Sequence, residues 1–437
     1  MQLFEGKEGG DRCLLISIEF SGKKELNADI QELHGLVSAA KLFPIQKLQF
    51  KRKLPDAKLF LGKGKAQEAQ DIIKDNDINV VVFNHPITPS QERNLELQLD
   101  CKIIDRTGII LEIFADRAKT REGKLQVELA RLSYQSTRLV KGWSHLERQK
   151  GGIGVRGGPG EKQLELDKRM LRERIISIQL SLEKVKKQRR LGRSSRKKAN
   201  IPTIAFVGYT NAGKSTLFNT ICGSDVFVKD QLFATLDPTL RKVNIPKFGP
   251  VVFSDTVGFI KNLPHKLVEA FSATLEETIE ADLLIHVIDY SDENYPEYSK
   301  QVYSVLKQIH SDQKPIIEVY NKIDLMENTQ AHVLLNEPEG TDSIWLSAVQ
   351  NTGIDILFES IAHHFHKNWC YGKLIIPTTK SKIRSELYDL GVIKSESTSE
   401  DGEYILELNI ARSDLLRIIQ DNNLEMNKSF SENDNNN

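Results

Sequence analysis

Four short stretches, in order along the chain, carry residue types and spacings suited to handling a polyphosphate and a purine base. In "IPTIAFVGYTNAGKSTLFNTI", Gly208-x-x-x-x-Gly213-Lys214-Ser215 follows an apolar strand and opens a helix with Leu217 and Ile221 facing inward. The glycines let the loop, with Tyr209, Thr210, Asn211 and Ala212 between them, wrap until backbone N–H groups and the helix N-terminus face a β-phosphate. Lys214 then reaches the β- and γ-phosphates, and the Ser215 hydroxyl ligates Mg²⁺. "VVFSDTVGF" is a strand ending in Asp255-Thr256-Val257-Gly258, a carboxylate for the Mg²⁺ shell and a glycine N–H that senses the γ-phosphate. "PIIEVYNKID" ends in Asn321-Lys322-Ile323-Asp324, where a carboxylate accepts from the guanine N1–H and 2-amino group. Adenine lacks that donor pair, so this favours GTP over ATP. In "SIWLSAV", Ser347-Ala348 supports guanine O6 through backbone N–H, with Val349 next. Each motif ends a strand, and together they define a Mg²⁺-dependent GTPase domain built as a doubly wound α/β sheet.

Just past Gly258 stands Phe259, where Ras-like enzymes carry a glutamine that orients the attacking water. Phenylalanine has neither donor nor acceptor. Hydrolysis is therefore expected to be slow until something outside the domain completes the site.

The chain around this domain must position it. At 437 residues it is too long for one core. No apolar run reaches the roughly 18–20 residues of a membrane span, and "MQLFEGKEGGDR" lacks a signal-peptide layout. The four cysteines form no CxxC pair, which argues against zinc and a disulfide framework. The expectation is a cytoplasmic protein. Formal net charge is zero, yet from Lys119 to Lys198 there are 23 Lys and Arg against 8 Asp and Glu, an excess of 15. Such segregation favours an anionic partner, of which nucleic acid is the commonest.

Within that basic segment, Leu125, Leu129, Leu132, Ser136, Leu139, Trp143 and Leu146 step by four and three. Leu164, Leu171, Ile178 and Val185 step by seven, with Ile175 and Leu182 filling the seam. Two narrow apolar stripes joined by a short turn predict an antiparallel helical hairpin. "GGIGVRGGPG" (151–160) is its expected tip, where glycine permits close approach and Arg156 forks onto phosphate or stacks on bases. Residues 1–118 read as an α/β unit with buried parallel strands at "CLLISIEF" and "INVVVFN". There "LGKGKAQEA" (61–69) is an ordinary strand-to-helix turn or a weak phosphate site. The expected order is 1–118, the hairpin 119–198, the GTPase domain 199–370, a small β-α-β-α unit 371–426 and a disordered tail 427–437.

Taken together, "GYTNAGKST", "FATLDPTLR" (233–241), "DTVGFI", "NKID", and above all "GGIGVRGGPGEKQLELDKR" preceded by "RLSYQ" (131–135), resemble the HflX family of translation-factor-class GTPases. The resemblance covers about residues 13–370. It implies a cytosolic, monomeric GTPase, compatible with peripheral membrane association. Such a protein binds the large ribosomal subunit, probes its RNA with the hairpin tip and splits stalled or idle ribosomes. It also implies that Phe233, Ala234, Thr235, Leu236 and Asp237 form switch I, with Thr235 as the second Mg²⁺ ligand and, with Lys214 and Gly258, a catalytic group; Thr239 competes for that role. Val349 stands where a polar residue often follows Ser-Ala. Two rival readings remain: an RNA-remodelling NTPase using ATP at the N-terminal unit, and a regulatory GTPase acting on a protein partner. "NKID" favours guanine, and the basic segment favours RNA.

Overall fold

A computed structural model describes residues 11–20, 26–142, 159–198, 201–223, 232–246, 248–261, 272–335, 341–377, 380–390, 392–399, 402–422, 424 and 430–432. Trp143, Leu146 and tip residues 151–158 lie outside the described residues. By contacts the chain divides into two compact units. One holds Met1–Val185, Phe227–Pro238 and Val257–Glu276; the other holds Lys186–Val226, Thr239–Thr256 and Glu277–Asn437. The segments carrying Thr235 and Gly258 thus fall in the first unit, whereas the sequence alone groups them with the phosphate loop.

The first unit opens with alternating strands and helices: β1 (Arg12–Phe20), α1 (Leu26–Ala39), β2 (Phe43–Arg52), α2 (Lys63–Asp75), β3 (Val80–Phe83), α3 (Pro89–Leu99), β4 (Lys102–Asp105) and α4 (Arg106–Arg117). The sheet runs β2-β1-β3-β4, all pairs parallel. β1 and β3 are the expected apolar runs, and their side chains from Cys13 to Ile16 and Val80 to Phe83 are buried. β2 escapes a hydrophobic reading because "FPIQKLQFKR" lies at the sheet edge and is mostly exposed or half-buried. Thr88 starts α3 with a reciprocal cap against Gln91. At the glycine turn before α2 the Arg52 guanidinium donates to Leu61 O beside Gly62. A Cβ on Gly62 would meet that guanidinium at 2.2 Å.

Two long helices follow, α5 (Arg121–Gly142) and α6 (Pro159–Lys198). Arg174 on α6 donates through Nε and Nη2 to Glu128 on α5 at 2.8 and 2.7 Å. On α6 the expected seam holds from Leu171 onward, the side chain of Leu164 lying outside the described residues: Ile178 and Leu182 are buried, and Leu171, Ile175 and Val185 are half-buried among mostly exposed neighbours. On α5 the burial is rotated from the expected stripe. Gln126, Val127 and Ala130 are buried while Leu125, Leu129 and Leu132 are only half-buried. The reason is a second neighbour, because α5 also packs on α3 and α4, which widens the covered face beyond a two-helix seam.

In the second unit, β5 (Thr203–Gly208), α7 (Lys214–Cys222), β6 (Thr239–Ile245), β7 (Gly249–Asp255), β8 (Leu283–Asp289), α9 (Tyr295–Gln308), β9 (Ile316–Asn321), β10 (His332–Leu334), β11 (Asp342–Trp345) and α10 (Ile354–Asn368) form a doubly wound layer. A further helix, α8 (Ser272–Glu280), precedes β8. The sheet order is β10-β11-β9-β8-β5-β7-β6, with only the edge strands β6 and β10 antiparallel. After it come β12 (Trp369–Ile376), α11 (Ser381–Leu390), β13 (Ile393–Thr398), β14 (Tyr404–Ala411), α12 (Arg412–Asp421) and β15 (Phe430–Glu432), ordered β13-β14-β12-β15 and antiparallel. This β-α-β-β-α-β unit has two strands more than the sequence suggests. β13, "IKSEST", is too polar to read as a strand. β15 lies in the stretch 427–437 expected to be disordered, where Phe430 pairs with Leu374 and packs on that unit's core.

Candidate nucleotide site

The chemistry gathers at the C-terminal ends of β5, β7 and β9, where a doubly wound sheet presents loops. Gly208 ends β5 at φ +152°, and a Cβ there would meet Val287 O on β8 at 2.3 Å. Only glycine lets β5 and β8 close at this point. The loop then turns through Asn211 (φ +64°) and Gly213 (φ +93°) into α7. Lys214 folds back over it, donating from Nζ to Gly208 O at 3.1 Å and Tyr209 O at 2.6 Å. Burial pushes the Lys214 ammonium down to about 8, opposed by the nearby Asp255 carboxylate. The Thr210 hydroxyl oxygen is buried with no hydrogen-bond partner among the described residues. A carbonyl-bound ammonium and an unpaired hydroxyl are what a phosphate would satisfy.

Ser215 Oγ donates to Asp255 Oδ2 at 2.7 Å, and Asp255 is buried at the end of β7. A hard hydroxyl oxygen beside a buried carboxylate suits Mg²⁺, which binds few protein oxygens and keeps its waters and substrate phosphates. Among the described residues there is no group of three or more His, Cys, Asp or Glu that could hold a metal ion. Next to it, Thr256 Oγ1 donates to Phe206 O at 2.5 Å and pins the start of the following segment to β5.

The base-binding motifs meet the same loop. Asn321 Nδ2 donates to Ala212 O at 3.0 Å, and Asn321 Oδ1 accepts from Ala348 N at 3.0 Å. The Ala348 amide, expected to face guanine O6, is therefore engaged by Asn321. Ser347 Oγ donates to Asp324 Oδ1 at 2.5 Å, fixing the carboxylate, while Lys322 Nζ donates to Asp289 Oδ2 at 2.6 Å. Ile323 is buried and Val349 is 76% exposed. Phe233, Ala234, Thr235, Leu236, Asp237, Val257 and Gly258 belong to the first unit. Phe259 is buried, 3% exposed, so it packs and presents no group to water.

Two residues escape sequence reasoning. Asp289 ends β8 as the partner of Lys322, a role visible only once β8 and β9 pair. His286, buried in β8, is pushed down to about 3 by burial and then by Lys214. A lone histidine inside "LLIHVID" carries no signal of that neighbour.

The strand, phosphate loop and guanine-type carboxylate make this a P-loop GTPase, an enzyme that hydrolyses GTP. Residues 203–322 match the family model described as 50S ribosome-binding GTPase, residues 117–196 the GTP-binding GTPase Middle Region, and residues 27–115 the GTP-binding GTPase N-terminal region. GTPase HflX of Escherichia coli is 47% identical over 416 residues, covering 95% of this chain and 97% of that one. GTPase HflX of Caldanaerobacter subterraneus is 43% identical over 393 residues, covering 90% and 89%. A crystal structure of SsGBP with GDP is similar at 26% identity and a TM-score of 0.46, covering 81% of this chain and 99% of that one. The chain belongs to the HflX family of GTPases. Among the described residues no helix is long and apolar enough to cross a membrane.

Proposed function

We propose that this GTPase binds the large ribosomal subunit through residues 119–198 and promotes dissociation of stalled or idle ribosomes, with hydrolysis resetting the factor. The observation that carries the reading is the excess of 15 positive charges on that one segment, much of it on exposed α6 positions such as Arg172, Arg174 and Lys184. Phosphate contacts by such residues give salt-dependent affinity for RNA. The 50S ribosome-binding description of the matching family model points to the same partner.

In the reaction, Asp324 reads the guanine edge while Ser347 keeps its carboxylate oriented. Backbone N–H groups of residues 208–215 hold the phosphates, and Lys214 exchanges its two carbonyl partners for β- and γ-oxygens. Ser215 and Thr235 would hold Mg²⁺ and Asp255 would accept from its water shell; bound there, such an ion would offset negative charge on the phosphates. The Gly258 N–H senses the γ-phosphate. Phe259 has no group to orient water, so free turnover is slow, on the order of 10⁻⁴ to 10⁻² s⁻¹ as for unassisted GTPases. Large subunits raise it.

The test replaces residues 151–160 with a short Asn-Gly turn and follows ribosome profiles on density gradients with GTP, GDP and no nucleotide. GTP binding should persist, subunit binding should weaken modestly and splitting should be lost. Full splitting by the tip-less protein would refute the proposal.

A further inference from the structure

Tyr209 follows Gly208 in the phosphate loop, and its ring has a partner of its own. It is 8% exposed and lies flat on Tyr298 of α9, with ring centroids 4.3 Å apart and planes within 10°. The Tyr209 carbonyl is one of the two that accept from Lys214 Nζ, at 2.6 Å. One residue thus joins a backbone contact to the loop lysine with a side-chain contact to a neighbouring helix.

Tyr298 is a firm surface to stack on, because α9 is fixed along its length. Tyr298, Val302 and Leu306 step by four and so share one face, and the last two are fully buried where α9 packs on β5 and β8. Tyr303 keeps the helix from rolling. Its Oη donates to Glu318 Oε1 on β9 at 2.8 Å, and its ring meets His286 of β8 edge-on, with centroids 5.3 Å apart. Just before α9, Asp292 Oδ1 accepts from Asn294 N at 2.8 Å and Asp292 O from Tyr295 N at 3.0 Å.

Lys214 cannot restrain the loop carbonyls and hold phosphate at once. When its ammonium turns to phosphate oxygens, Gly208 O and Tyr209 O lose that donor. The second half of the loop keeps Asn321, which donates to Ala212 O at 3.0 Å. The Tyr209–Tyr298 stack restrains the first half and uses no group that phosphate needs. Holding a loop in its bound shape raises affinity by cutting the cost of ordering it.

We propose that Tyr298 is a positioning residue for the nucleotide. Stacked on Tyr209, it keeps the backbone N–H groups of the phosphate loop aimed at the phosphates while Lys214 changes partners. Tyr298 acts through Tyr209, and α9 becomes part of what retains GDP. The inference rests on the reading of residues 208–215 as the phosphate cradle.

The experiment measures GDP association and dissociation rates, kcat, KM for GTP and thermal midpoint. It compares the full chain with Tyr298→Ala, Tyr298→Leu, Tyr298→Phe, Tyr209→Ala, the double alanine variant and Lys214→Ala. Tyr298→Ala should release GDP about fivefold to tenfold faster, with association within about twofold of the parent. KM should rise while kcat changes little. Tyr298→Phe keeps the flat ring and should restore slow release; Tyr298→Leu fills similar space without one and should not. Tyr209→Ala should match Tyr298→Ala, and the double variant should add little, because all three remove one contact. A merely structural Tyr298 would lower the thermal midpoint and leave GDP release unchanged. Parental release in the alanine and leucine variants overturns the inference, as does rescue by leucine or full additivity in the double variant. Should Tyr298→Ala fail to fold, the leucine and phenylalanine variants decide it. If Lys214→Ala keeps parental GDP affinity, the cradle reading fails and this inference with it. If Lys214→Ala binds weakly while the Tyr298 variants behave as the parent, Tyr298 alone is refuted.

Discussion

Binding a nucleotide to this protein should take up a proton, and the amount should depend steeply on pH. Burial holds the Lys214 ammonium near 8, well below the ordinary lysine value of 10.5. At pH 9 about nine-tenths of Lys214 is then neutral in the empty protein, and at pH 7 about one tenth is. A β-phosphate beside the amine restores the charged form, raising its value again. GDP binding should therefore take up about 0.9 proton at pH 9 and about 0.1 at pH 7, and affinity should fall toward tenfold per pH unit above 8. His286 contributes nothing here, because a value near 3 keeps it neutral throughout. Titration calorimetry in pairs of buffers with different protonation enthalpies measures the uptake directly. Lys214→Arg is the control, since a guanidinium stays charged at both pH values. Equal uptake at pH 7 and pH 9 in the parent protein would refute the reasoning. So would strong pH dependence surviving in the arginine variant.

Two further outcomes follow from the geometry. Asp324→Asn should weaken GTP binding and improve xanthosine triphosphate binding, because an amide pairs with the carbonyl that replaces the 2-amino group; unchanged GTP affinity in a competition assay would remove Asp324 from base recognition. Tyr134→Phe should destabilise the first unit by about 1–3 kcal/mol in urea denaturation, by leaving a buried carboxylate one donor short. The Tyr134 hydroxyl donates to Asp105 Oδ1 at 2.7 Å, beside the Arg138 guanidinium on Oδ2 at 2.6 Å.

That last cluster illustrates what a sequence withholds. "RLSYQ" stands out as a string, but its chemistry depends on partners far along the chain: Arg131 pairs with Glu112, and Tyr134 joins Arg138 on Asp105. The phosphate loop and "NKID" were readable because their function is local, with backbone and side chains a few residues apart doing one job. The parallel strands β1 and β3 were readable because burial on both faces leaves an unbroken apolar run. β2 and β13 were not, since edge strands with polar faces look like loops. The burial of α5 was misread for a related cause. A two-helix pattern cannot reveal that α3 and α4 also cover it. The hydrogen bonds that Asp237 accepts from Lys119 N and Thr120 N were invisible in "FATLD", because nothing near it in sequence names Thr120.

Asn321 has a consequence for redesign. One side-chain amide holds the phosphate loop through Ala212 O and the Ser347-Ala348 turn through the Ala348 amide. The proposed purine pocket and phosphate cradle thus share a single strut, and a Cβ on Gly213 would strike it at 2.2 Å. Altering Asn321 to change base preference would slacken the grip on phosphate at the same time. Asp324 touches only Ser347 among the described side-chain hydrogen bonds, so base choice can be re-coded there while the cradle keeps its shape.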